Sequence, residues 1–67
     1  MEHPIISITL DGTTYSAPYE LKRGIVTVRT DVGTRSAALD NSLPDIIARM
    51  LLREIVRSEK LRREGIF

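Results

Sequence analysis

Residues 5–21 read IISITLDGTTYSAPYEL, and this stretch decides the fold. Ile6, Ile8 and Leu10 fall on one side of an extended chain and Ser7 and Thr9 on the other, the two-residue period of a half-buried strand. Asp11-Gly12 then ends the alternation with a dipeptide that readily takes positive φ, the signal of a tight hairpin turn. Beyond it, Tyr15, Ala17, Tyr19 and Leu21 share one face of a return strand over about residues 13–21. Pro18 interrupts that strand. It has no N–H to give to a ladder, so the second strand is either an edge strand or bends at this point.

The same pattern continues outward. Lys22-Arg23-Gly24 makes a second turn, and residues 25–30, IVTVRT, form a third strand rich in β-branched side chains. Residues 31–34 turn the chain again, and residues 35–39 form a weaker fourth strand. Each connection is short, so sequential strands are expected to be antiparallel neighbours. Ser42 stands where a helix N-cap is expected, with Asp45 three residues on as its capping-box partner and Pro44 in the tolerant first turn. Good helix formers then run to Arg63, and Gly65 is a natural stop. The expected fold is α+β: one domain over residues 1–67, with a four-stranded antiparallel β-meander followed by one long C-terminal helix, about residues 43–63, packed on the sheet (ββββα).

At ~100° per residue the helix divides into three sectors. Leu43, Ile46, Ile47 and Met50, joined by Leu61, form the stripe expected to meet the sheet. Ala48, Leu52, Ile55 and Val56 form a second apolar sector with no evident partner in so short a chain. An unpartnered apolar patch usually marks an interface, so these four are the candidate self-association residues and a homodimer the expected state. Small size points the same way. A core of fewer than about 70–80 residues seldom supplies more than about 3–5 kcal/mol. The chain has no cysteine for disulfides, and its one histidine, His3, cannot build a structural zinc site.

Arg49, Arg53, Arg57 and Lys60 make the third sector. They could follow a phosphate backbone, the basis of an alternative reading as a small nucleic-acid-binding regulator. The simpler reading is a solvated face with internal pairs, Glu54 with Arg57 or Ser58 and Glu59 with Arg62 or Arg63. Charge favours the simpler reading. The net formal charge is +1, and the modest basic excess of the C-terminal third is also what a helix dipole selects. Tyr15 and Tyr19 could stack on bases, but more simply turn their rings inward. Arg29 and Arg35 are expected to meet across the third turn, with Asp31, as a surface charge cluster.

Catalytic groups are sparse. Asp11, Asp31 and Asp40 sit in turns, Ser42 is taken by capping, and Gly12, Gly24 and Gly33 are isolated turn residues rather than a phosphate loop. No enzymatic activity, cofactor or metal is expected. No apolar run approaches a membrane span of ~18 residues, and the N-terminus lacks a signal-peptide pattern, so a cytoplasmic location is expected.

Residues 15–57 carry a glycine before a Val-Thr-Val strand (Gly24), the turn Gly33-Thr34-Arg35-Ser36, and the helical run Ile47-Ala48-Arg49-Met50-Leu51-Leu52-Arg53-Glu54. These features resemble a group of short bacterial proteins of unassigned function. The resemblance implies a bacterial origin and brings no activity, cofactor or binding residue.

Overall fold

A computed structural model describes residues 3–63. It contains β1 (Ile5–Leu10), β2 (Thr13–Lys22), β3 (Ile25–Thr30), β4 (Gly33–Ala38) and α1 (Pro44–Arg63). The strands form one antiparallel sheet in the order β1-β2-β3-β4, and α1 lies across one face in contact with all four. This is the ββββα meander that the alternating pattern and short turns dictate. The expected Gly65 stop lies outside the described residues. No helix among the described residues is long and apolar enough to cross a membrane.

Two turns draw on positive φ. Asp11-Gly12 (φ 52° and 79°) joins β1 to β2, and Arg23-Gly24 (54° and 76°) joins β2 to β3. Two consecutive positive φ angles give the turn whose twist matches antiparallel strands. A side chain at Gly24 would meet no atom within 4 Å, so conformation alone makes glycine preferred there. Gly24→Ala is therefore expected to cost about 1–2 kcal/mol, read from the thermal midpoint. The third turn is tighter than expected. Asp31-Val32 suffices, because the Thr30 hydroxyl accepts from the Val32 N–H and donates to the Gly33 carbonyl, and β4 starts at Gly33.

Register settles the role of Pro18. β2 lies between β1 and β3 in the strand order, but at Pro18 its β3 side has no partner, so the proline sits on a locally unpaired edge of an otherwise inner strand. Residues 13–18 pair with β1, from Leu10↔Thr13 to Ile5↔Pro18, and residues 19–22 pair with β3, from Tyr19↔Val28 to Lys22↔Ile25. Beside Pro18, the Tyr19 N–H donates to the Pro4 carbonyl on the β1 side, 3.0 Å away. Strand alternation turns the Pro18 nitrogen toward β3, where a donor would be wanted. Pairing with β3 ends one residue short of it. β2 thus changes partners at the residue that cannot serve the second one.

The core lies between the sheet and α1: Ile6, Ile8, Ala17, Val26 and Val28 from the strands, and Ile47, Ala48, Leu51, Leu52, Ile55 and Val56 from the helix. Tyr15 and Tyr19 are half-buried at its margin, with Leu10, Ala37 and Leu39. Burying these side chains contributes roughly 25 cal/mol per Å² of apolar surface.

The helix meets the sheet through a different face from the one expected. Ala48, Leu52, Ile55 and Val56 are buried against the chain's own strands, and Leu52 retains only 1% of its exposure. Leu43, Ile46, Met50 and Leu61, expected to face the sheet, are 63, 52, 51 and 47% exposed, and only Ile47 of that stripe is buried. The reason is the width of the apolar arc. The apolar arc covers about three-quarters of the circumference, and the half of it centred on Ala48 and Ile55 is what contact with all four strands covers. The self-association sector expected at Ala48, Leu52, Ile55 and Val56 therefore has its partner within the chain.

Helix entry also differs from expectation. The Leu43 carbonyl accepts from the Ile46 and Ile47 N–H groups at 3.1 and 3.3 Å, which makes Leu43 the capping position. The Ser42 hydroxyl instead donates to the Asp40 carbonyl, and Asn41 takes φ 58°. Pro44 occupies the first helical position, which needs no N–H.

Candidate functional site: an open sheet edge and its surroundings

Of the basic residues expected to form a stripe, two are neutralised at short range. Arg49 pairs with Asp45 one turn back, and Lys60 reaches Asp11 in the β1–β2 turn. The Lys60 ammonium lowers the Asp11 carboxyl below its usual range by hydrogen bonding and by its charge. Arg53 and Arg57 are exposed. Arg29 and Arg35 do not cluster. They are adjacent strand positions and so lie on opposite faces: Arg29 turns outward, while Arg35 turns toward the helix and bonds Glu54 (3.3 Å) and Ser58 (3.4 Å). Glu54 is thus paired across to β4 rather than along the helix. All these pairs are exposed and individually contribute little to stability.

The sheet face away from α1 is hydroxyl-rich. Ser7 and Ser16 lie 2.8 Å apart, Thr9 and Thr14 3.1 Å, and Thr27 and Ser36 2.9 Å, each a cross-strand pair. Where β2 leaves β3, a cleft of about 400 Å³ opens between residues 14–16 and the Asp31-Val32 turn, floored by Leu52, Ile55 and Val56. Asp31, Glu59 and Lys60 put both charge signs on its lining. Among the described residues no group of three or more His, Cys, Asp or Glu side chains is placed to hold a metal ion.

The two sheet edges are unlike. β4 carries Arg35 on its helix-facing side, tied to Glu54 and Ser58, and an inward-pointing charge is one device by which sheets block edge pairing. β1 has none of the usual protections. Ile5–Leu10 contains no charged residue, no proline and no glycine, and pairs with β2 in unbroken register. Its alternation also fixes which backbone groups are free. Leu10 and Thr13 flank the two-residue turn, so Ile6, Ile8 and Leu10 direct their N–H and C=O groups to β2. Ile5, Ser7 and Thr9 direct theirs to the open edge. Their side chains are exposed, Ile5 at 68%.

Sequence reasoning placed β1 correctly but passed over its edge, although the signal was present in six consecutive uncharged residues. The expected meander already ends on β1; what the structure adds is the register, which shows which of its backbone groups are free. No protein-family model, curated protein or solved structure matches this chain.

Proposed function

We propose that this chain is a non-enzymatic interaction module that self-associates, with the open edge of β1 as its working surface. The carrying observation is the contrast between the edges: β4 is guarded by an inward charge and β1 is unguarded over its whole length. A flat, uncharged terminal strand is a template for adding another strand. A small core that gains from a second subunit supports the same reading.

The nucleic-acid alternative has less support. It needs the helix arginines exposed and contiguous with other cations. Arg49 and Lys60 are engaged by carboxylates, Arg35 is held by Glu54, and Arg29 projects from the sheet face opposite α1.

The test is solution mass by light scattering from low micromolar to millimolar concentration. The expected result is a concentration-dependent rise toward twice the chain mass, abolished by Ser7→Lys, which places a charge at the centre of the edge. A constant monomer mass throughout overturns the proposal.

A further inference from the structure

Resting on that reading, we infer that the strand added at β1 is β1 of a second copy, paired antiparallel about a two-fold axis through Ser7 to give a continuous eight-stranded sheet. The argument is one of self-complementarity. Within β1 only Ile5, Ser7 and Thr9 present main-chain groups to the edge, because Ile6, Ile8 and Leu10 are committed to β2. With Ser7 opposite the second copy's Ser7, Ile5 lies opposite the second copy's Thr9, and Thr9 opposite its Ile5. Every edge-facing N–H and C=O of the strand then meets a counterpart. A register centred on Ile8 sets Ile5 against Asp11, which is in a positive-φ turn and cannot continue a ladder. A register centred on Ile6 sets Thr9 against His3, which lies before the strand.

The side chains agree with the Ser7-centred register. On the outer face, the existing Ser16–Ser7 contact of 2.8 Å extends into an unbroken row of four serine hydroxyls across the joint. On the helix side, Ile6 comes opposite the second copy's Ile8, so apolar meets apolar at the seam. No charged residue occurs in Ile5–Leu10, so self-pairing sets no like charges against each other, a penalty that directly opposed charges would carry. An arbitrary extended peptide would satisfy the backbone alone, whereas a second copy of β1 also matches the side chains on both faces.

The chain has no cysteine, so any single-cysteine variant can form disulfides only between copies. Opposed residues in this register have Cα atoms about 5.5 Å apart, within the range a disulfide spans. Under mild oxidation Ser7→Cys is expected to cross-link about tenfold or more faster than Ser36→Cys, an exposed control on the outer face of β4. Ile5→Cys and Thr9→Cys should each stay near the control rate alone and cross-link rapidly when mixed. Light scattering on the same samples separates the failures. A dimer whose Ser7→Cys and mixed Ile5→Cys/Thr9→Cys samples cross-link no faster than the control overturns the register and leaves self-association standing. A monomer throughout overturns both.

Discussion

Leu52→Ala is expected to leave much of the protein unfolded at room temperature. Leu52 is among the largest fully buried side chains, at 1% exposure, and packs in a cluster drawn from β1, β2, β3 and α1. Removing its branched end withdraws apolar contacts and leaves a cavity that a close-packed interior fills only in part, a cost of about 2–5 kcal/mol. A chain of this size starts from about 3–5 kcal/mol. Urea or thermal unfolding followed by circular dichroism should show the transition shifted strongly downward at fixed protein concentration. Met50→Ala supplies the contrast. Met50 is 51% exposed on the opposite side of the helix, and its loss should stay within about 0.5 kcal/mol. If Met50→Ala cost as much as Leu52→Ala, the helix would be seated on the other face.

Ala48→Leu should also be strongly destabilising, by overfilling rather than emptying. Ala48 is fully buried on the side that faces the sheet, with the buried Leu51 and Leu52 one turn on. The added branched carbons have no space without lifting the helix or forcing neighbours off their rotamers, a cost of about 1–3 kcal/mol. The same unfolding curves measure it. Gly33, partly exposed at the start of β4, is a useful comparison: a Cβ there would meet Ile55 Cγ2 at 3.6 Å, an ordinary contact. Overfilling is therefore expected to be sharp at Ala48 and mild at Gly33, which separates local crowding from a general intolerance of added volume.

Element type and order were legible in the sequence because each rests on a local rule. Alternation of Ile6, Ile8 and Leu10 reports a strand, Asp11-Gly12 reports a turn, and the glycine-free run after Pro44 reports a helix. What failed depended on how far a surface extends in space. The helix's apolar residues cover so wide an arc that one margin of it, Leu43 and Ile46, looked as suitable for the sheet as the half centred on Ala48 and Ile55. Only contact with all four strands chooses between them. The cap failed for a related reason. Ser42 and Leu43 are adjacent, and the backbone, with Asn41 at positive φ, decides which carbonyl starts the helix. Arg29 and Arg35 were near in sequence, but strand parity sent them to opposite faces. The candidate edge follows from the expected meander, but which of its backbone groups are free, and that β4 is guarded by Arg35, needed the register and the helix contacts.

The change of partners at Pro18 bears on cooperativity. β2 pairs with β1 over residues 13–18 and with β3 over residues 19–22, so the sheet is two blocks, the β1–β2 hairpin and the β2–β3–β4 ladders, hinged on a single covalent strand rather than one uninterrupted fabric. Main-chain hydrogen bonds alone would let the blocks open separately, each as its own unit. The helix joins them, since it alone touches all four strands. α1 therefore acts as a clasp: when it is in place the two blocks melt together, and when its hold on Val28 or Ile8 is loosened, one half can fray while the other persists.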